Sequence, residues 1–133
     1  MIFEPLRKLF RPAAVPAAPP RVPAGERYYV VGDIHGRLDL FDALIAAIEA
    51  DDATSGAAAT TVVLLGDLVD RGPESAGVLQ RAREWQDQRR VRILIGNHEE
   101  MFLECFQDKE VLRHFLKHGG RETILSFGIP QIE

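Results

Sequence analysis

Three short segments of this chain combine glycines with side chains that bind metal ions or transfer protons. They are Gly32-Asp33-Ile34-His35-Gly36, Gly66-Asp67-Leu68-Val69-Asp70-Arg71-Gly72 and Gly96-Asn97-His98-Glu99-Glu100. A carboxylate can bridge two cations, and carboxylate mixed with imidazole suits Mn, Fe or Zn better than Ca or Mg. Two such cations about 3.5–4 Å apart can clamp an in-line displacement and convert bridging water to hydroxide at neutral pH. These residue types therefore indicate two-metal hydrolytic chemistry.

Each segment follows a short apolar run that the sequence predicts to be a β-strand. The runs are residues 28–31, 61–65 and 91–95, and each ends at a glycine. A Gly-Asp pair alone is common as a turn with a helix cap, but three such turns in order favour a shared site. Because helices alternate with the strands, we predict parallel pairing with right-handed crossovers, an α/β fold. Parallel strands bring their carboxyl ends to one edge, so the three segments should meet in one cleft.

Apolar residues recur at helical spacing after each segment. Those predicted to face inward are Phe41, Leu44, Ile45, Ile48, Val78, Leu79, Ala82, Trp85, Met101, Phe102, Cys105 and Phe106. Asp39 is predicted to cap the first helix, and residues 51–60 to form a loop after it. Further helices are predicted at about 109–118 and 121–127, and Gly119-Gly120 breaks the chain between them.

Length and composition suit one globular domain preceded by an irregular arm. The chain has 133 residues, of which 46% are hydrophobic and 27% charged. Residues 1–26 are rich in Pro and Ala and are predicted to be a flexible arm with an unknown partner, so residues 27–133 form the domain. Five apolar residues of the arm have loosely helical spacing but are predicted to be frayed: Ile2, Phe3, Leu6, Leu9 and Phe10.

Charge and cysteine content exclude several classes of protein. The net charge is −4, and the arm carries four of the basic residues, so the domain is more acidic still. An acidic domain is a poor binder of nucleic acid or of an anionic membrane. One cysteine, Cys105, excludes an internal disulfide and favours a reducing compartment. Since no apolar run approaches the about 20 residues of a membrane span, we predict a cytoplasmic location.

The three segments together resemble the calcineurin-like metallophosphatase superfamily. Their pattern, Gly-Asp-x-His-Gly, Gly-Asp-x-x-Asp-Arg-Gly and Gly-Asn-His-Glu, is similar to the branch that holds bacterial serine/threonine phosphoprotein phosphatases and symmetrical diadenosine tetraphosphatases. The resemblance covers residues 27–128. It implies the first half of an α/β/β/α sandwich, with the metal site at the C-terminal ends of the strands.

The resemblance also implies a set of metal ligands. Asp33 and His35 would bind the first metal, and Asp67 would bridge both metals. Asn97 would bind the second metal and contact the substrate. The implied cofactors are two divalent cations, with Mn expected first and Fe or Zn as alternatives.

Three further residues inherit catalytic roles from the resemblance. His98 would protonate the leaving oxygen, and Asp70 would orient its imidazole. Arg71 would bind phosphate oxygens, since a guanidinium presents a planar fork to phosphate. A histidine held by a carboxylate can stay protonated near neutral pH and act as a general acid. The alternative for Asp70 and Arg71 is a plain surface ion pair.

The residues within the second and third motifs favour one substrate. Asp70-Arg71-Gly72-Pro73-Glu74-Ser75 and Asn97-His98-Glu99-Glu100-Met101 look more like bacterial protein phosphatases. Symmetrical dinucleoside tetraphosphatases more often lack the second-motif Asp and carry Asn-His-Asp. We therefore predict a phosphomonoesterase acting on phosphoserine or phosphothreonine in proteins, with diadenosine tetraphosphate hydrolysis as the alternative. A nuclease of the same superfamily is disfavoured by the acidic charge.

The family supplies further ligands from segments later in its sequence than this match. Two histidines and a second arginine come from there, whereas this chain ends at Glu133 with only His114 and His118 after the third motif. Both lie in a predicted helix and are expected to be structural or surface residues. The 133 residues alone are therefore predicted to be weakly active or inactive, a truncated metal-binding fragment. One apolar face of the sheet should also be uncovered.

Overall fold

The structure, a computed structural model, describes residues 18–129, so the apolar residues between Ile2 and Phe10 lie outside the described part. Three strands alternate with helices along the chain. In order, the elements are β1 (Glu26–Val31), α1 (Leu38–Thr54), β2 (Ala59–Leu64), α2 (Ser75–Gln88), β3 (Val91–Ile93), α3 (Asn97–Glu104), α4 (Lys109–Phe115), a π-helical turn (Leu116–Gly120) and α5 (Arg121–Ser126). Between residues 18 and 129, no helix combines the length and apolar character that crossing a bilayer requires.

The strands form one parallel sheet in the order β1-β2-β3. Val30 pairs with Val63 across the first ladder, and Leu64 pairs with Ile93 across the second. The predicted parallel α/β fold is thereby confirmed. Strand β3 is shorter than predicted, because Leu94 makes one last bond to the Leu64 carbonyl (2.9 Å) and the chain then turns toward α3.

The hydrophobic core lies between one face of the sheet and helices α1 and α2. Its buried residues include Phe41, Ile45, Ile48, Val62, Leu64, Val78, Ala82 and Trp85. The rings of Phe41 and Trp85 meet edge to face, with 6.0 Å between their centroids. The Trp85 indole donates to Glu49 at 2.6 Å, so its polar atom is satisfied at the edge of the core.

The opposite face of the sheet is open in the described part of the chain. Val30 is 60% exposed, and Tyr28, Leu65 and Leu94 are exposed as well. The prediction that one apolar sheet face is uncovered is thereby confirmed. Exposed β-branched and aromatic residues on a sheet are typical of a surface that another layer covers.

The predictions for the first helix need correction. Helix α1 continues to Thr54, so residues 51–54 are helical rather than part of a loop. The Asp52 carboxylate accepts hydrogen bonds from Arg27 and Arg89, which offsets the unfavourable position of an acid at a helix C-terminus. Asp39 is not the cap, because helix α1 begins at Leu38 and the Asp39 carboxylate pairs with Arg37 (2.8 Å).

Other corrections concern side chains predicted to be inward. Leu44 is 40% exposed, since the sheet reaches only the Phe41–Ile45–Ile48 side of α1. Phe106 is 73% exposed because α3 ends at Glu104, before the predicted face is complete. The prediction that Cys105 is a core residue is confirmed, and burial raises the pKa of its thiol, with a smaller contribution from the negative charge of Asp70.

The chain around the two glycines also differs from the prediction. Helix α4 ends at Phe115 rather than near residue 118, and a π-helical turn carries the chain to Gly120. The turn contains Gly119 at φ 98°, a conformation that a residue with a Cβ atom rarely adopts. The final short helix, α5, matches the predicted element within one residue.

Candidate metal centre

Three of the predicted ligands lie together at the edge of the sheet. Asp33 and His35 follow β1, Asp67 follows β2, and their ligand atoms all lie within 4.8 Å of one another. Asp33 is exposed, while His35 and Asp67 are half-buried. The group is thus partly open to solvent.

The tautomer of His35 suits metal binding. Its Nδ1 lies 2.8 Å from the Val69 carbonyl oxygen, which can only accept, so Nδ1 carries the proton. The Nε2 lone pair is therefore available to a metal and lies 3.7 Å from an Asp33 carboxylate oxygen. Histidines that bind metals commonly donate their other ring N–H to a backbone carbonyl, which fixes the orientation of the ring. The donor set thus fits a divalent cation.

Backbone hydrogen bonds join the first and second turns. The Ile34 and His35 amides both donate to the Asp67 carbonyl at 3.0 Å, and the Gly36 amide donates to the Leu68 carbonyl at 2.8 Å. The relative positions of the ligands on the two turns are therefore set by the main chain as well as by side-chain packing.

Positive φ angles are concentrated in this site. Within residues 18–129, the non-glycine residues with positive φ are His35 (45°), Asp67 (53°), Asp70 (73°) and Arg71 (72°). Such conformations cost of order 1 kcal/mol or more each, and they persist where surrounding contacts hold them. All four belong to the predicted site.

Glu99 supports the bridging position and was not predicted to have a role. Its Oε2 accepts from the amides of Asp67 (2.7 Å) and Gly96 (2.9 Å). Its Oε1 accepts from the amides of Leu68 (2.7 Å) and Val69 (3.2 Å). One carboxylate therefore ties the turn that carries Asp67 to the start of α3. The position of Glu99 at N3 of a helix was the available sequence signal, because acids there often bind the preceding backbone.

His98 and Asp70 form a buried pair beside the metal group. His98 Nδ1 lies 2.7 Å from Asp70 Oδ2, so the carboxylate accepts and Nδ1 carries the proton. The His98 ring meets the His35 ring edge to face, with 4.7 Å between centroids. Arg71 Nη2 lies 3.4 Å from His98 Nε2, which places the guanidinium beside the ring nitrogen that does not face Asp70.

Asp70 has two buried hydroxyl neighbours that were not predicted. Ser75 at the start of α2 and Thr123 on α5 both accept from the Asp70 amide, at 3.0 and 2.8 Å. The sequence offered no direct signal for these contacts, since Thr123 is 53 positions away. Asp70 is thus a fully buried residue rather than one half of a surface ion pair.

Asn97 is exposed at the first position of α3. It borders a cavity of about 380 Å³ whose wall includes Glu100, Glu104, Glu110 and His114. Its neighbour His98 donates its amide to Asp67 Oδ1 at 3.1 Å, so Asn97 lies one residue from a direct contact with the metal group.

His114 and His118 lie away from the Asp-His-Asp group. Their rings lie 3.9 Å apart, and His118 Nδ1 donates to the His114 carbonyl at 2.7 Å. Over residues 18–129 they belong to no group of three or more side chains that could hold a metal ion.

Comparison with known proteins gives consistent descriptions. Residues 26–130 match the family model for calcineurin-like phosphoesterases. A Klebsiella pneumoniae (strain 342) protein described as a symmetrical bis(5'-nucleosyl)-tetraphosphatase is 41% identical over 105 residues, which cover 74% of this chain and 35% of the relative. An Acidovorax ebreus (strain TPSY) protein of the same description is 45% identical over 71 residues, 53% of this chain and 23% of that protein.

A solved structure is also similar. It is provisionally described as a diadenosine tetraphosphatase, and it aligns with a TM-score of 0.51 and 27% identity over 81% of this chain and 40% of that one. The chain therefore spans well under half the length of these proteins.

Proposed function

Because the chain belongs to the calcineurin-like phosphoesterase family, we propose that it provides metal-binding and acid–base residues for the hydrolysis of a dinucleoside tetraphosphate. The observation that carries the proposal is the meeting of Asp33, His35 and Asp67 ligand atoms within 4.8 Å. The sequence motifs favoured a phosphoprotein as the substrate, whereas the relatives are described as dinucleoside tetraphosphatases. The dinucleotide is therefore now the first choice of substrate, and the phosphoprotein is the second.

The proposed division of roles follows the side-chain chemistry. Asp33, His35 and Asp67 would hold a divalent metal ion, and Asn97 together with Asp67 would hold a second one. When bound, two such ions supply Lewis acidity and an activated water for in-line attack. Glu99 keeps the turn that carries Asp67 in place through its backbone bonds.

Proton transfer to the leaving oxygen falls to His98 in this proposal. Asp70 holds Nδ1 at 2.7 Å, so the ring can donate only from Nε2. Arg71 is exposed and its Nη2 lies 3.4 Å from His98 Nε2, so the guanidinium can turn toward a phosphate group held beside that nitrogen.

A second candidate is hydrolysis of phosphoserine or phosphothreonine. The observation in its favour is Asp70, which belongs to a sequence motif typical of bacterial protein phosphatases and is hydrogen-bonded to His98. Both reactions need the same metal and acid, and they differ in the group that leaves with the proton.

The test is product analysis with the full 133-residue chain and Mn. Symmetrical cleavage of diadenosine tetraphosphate yields ADP alone, whereas asymmetrical cleavage yields ATP and AMP. We expect slow formation of ADP that is lost in Asp33→Asn and retained in Asp42→Asn, an exposed acid on α1 that pairs with Arg81. ATP and AMP as products, or faster release of phosphate from a phosphopeptide, would contradict the proposed substrate.

Metal binding without turnover is the remaining candidate. Among residues 18–129, the Asp-His-Asp group is the one cluster of three or more metal-capable side chains. Calorimetry with Mn separates the cases: two tight sites favour the enzyme, and one weak site with no ADP formed favours metal binding alone.

A further inference from the structure

Thr123 contacts the carboxylate that holds the proposed general acid. Thr123 Oγ1 donates to Asp70 Oδ1 at 2.6 Å, while Asp70 Oδ2 accepts from His98 Nδ1 at 2.7 Å. Each carboxylate oxygen thus has its own partner. Resting on the proposed function, we propose that Thr123 is a positioning residue that fixes the Asp70 carboxylate and, through it, the His98 ring.

The hydrogen bonds around Thr123 can be oriented without ambiguity. A carboxylate only accepts, so the single Thr123 hydroxyl proton points to Asp70 Oδ1. The Thr123 oxygen then accepts from the Asp70 amide (2.8 Å) and the Ser75 hydroxyl (3.0 Å). Both hydroxyl residues and Asp70 are fully buried, so water cannot replace any of these bonds.

The backbone that carries Asp70 needs this support. Asp70 and Arg71 both have φ above 70°, a region that side-chain-bearing residues seldom adopt. The Arg71 amide donates to the Gly119 carbonyl at 3.0 Å, and a Cβ on Gly119 would lie 2.5 Å from the Arg71 nitrogen. The π-helical turn therefore supports the backbone of the second motif, and Thr123 on α5 supports the Asp70 carboxylate.

Removing the hydroxyl leaves Asp70 Oδ1 buried without a donor. The carboxylate is then free to rotate toward the Ser75 hydroxyl, and the His98 Nδ1 bond lengthens or breaks. Thr123→Val keeps the shape of the side chain and removes only the hydroxyl function. A role limited to packing predicts no change at His98.

The experiment is ¹H–¹⁵N correlation of the histidine rings in the full chain at one fixed pH. In the wild type we expect a downfield, exchange-protected His98 Nδ1 proton, identified by its loss in His98→Gln. Thr123→Val should lose this signal, and Thr123→Ser should restore it. The His35 ring, bonded to the Val69 carbonyl, should keep its signal in every variant and serves as an internal reference.

Thr61→Val is the matched control, because Thr61 is a buried threonine of β2 and is not among the hydrogen-bond partners of Asp70, which are Ser75, His98 and Thr123. If Thr123→Val does not fold, Thr123→Ala replaces it, since alanine removes the hydroxyl without adding a methyl group. A folded hydroxyl-free variant with an unchanged His98 signal would overturn the inference. Where turnover is measurable, kcat should fall about 10-fold with KM unchanged.

Failure of this inference is distinguishable from failure of the proposed function. If the wild type lacks the protected His98 proton, the acid pair itself is wrong. If the wild type has it and the hydroxyl-free variant keeps it, the acid pair stands and the role of Thr123 falls.

Discussion

Glu99→Gln tests how the bridging ligand is held. Four backbone amides share the two carboxylate oxygens of Glu99, two on each oxygen. A glutamine keeps one oxygen, so in either orientation its NH₂ group faces two N–H donors. In one orientation the amides of Asp67 and Gly96 lose their acceptor, and in the other the amides of Leu68 and Val69 lose theirs. Both orientations therefore loosen the turn that carries Asp67.

The size of the effect follows from the bonds lost. A hydrogen bond to a charged group contributes about 1.5–3 kcal/mol, and two are lost. Because Glu99 is only half-buried, water recovers part of this, and we expect about 2–4 kcal/mol lower free energy of unfolding. That is a large share of the about 5–15 kcal/mol typical of folded proteins. Displacement of Asp67 should also weaken Mn binding by about 10-fold or more.

Urea unfolding and Mn calorimetry together measure both effects. Glu100→Gln is the matched control, since it removes the same charge from the same first turn of α3. The loss of interaction with the helix dipole, about 0.3–1 kcal/mol, is common to both variants. An equal urea midpoint and equal Mn affinity for the two variants would refute the support of Asp67 by Glu99.

Three further predictions concern single residues. Gly96→Ala should reduce stability and Mn affinity together, because its Cβ would collide with the Asp67 carboxylate, and equal Mn affinity would contradict this. Hydrogen bonds from Thr60, and then from Arg89 and Arg27, lower the pKa of Asp52. The ionised Asp52 carboxylate therefore stabilises the folded protein above the unfolded-state pKa of about 3.9, and this contribution is lost as the pH falls through the folded-state pKa. In urea unfolding, Asp52→Asn should therefore be less stable than the wild type at pH 7, with a gap that closes in acid; a gap independent of pH would refute the pairing. Asp33→Asn should weaken Mn binding in calorimetry and leave the urea midpoint unchanged, because the Asp33 side chain is 67% exposed.

The overall fold could be predicted because its signals are local. The apolar runs near Val30, Val63 and Val91 and the helical spacing between them predict parallel strands, and parallel strands must share one carboxyl edge. The meeting of Asp33 with Asp67 at that edge follows from strand order and needs no knowledge of packing detail.

The supports of the site could not be predicted in the same way. The contact between Thr123 and Asp70 depends on how α5 packs after a π-helical turn, which no periodicity specifies. The extra turn of α1 depends on ion pairs between the Asp52 carboxylate and two arginines outside the helix, Arg27 and Arg89. Local propensity disfavours an acid at a helix C-terminus, and the tertiary ion pairs outweigh it.

The central claim is that the turns after β1 and β2 form one metal site. Anomalous diffraction from crystals grown with Mn tests it directly. We predict a peak about 2.0–2.3 Å from oxygens of Asp33 and Asp67 and from His35 Nε2. A bound Mn that touches none of these three side chains, or unchanged Mn density in Asp33→Asn, would contradict it.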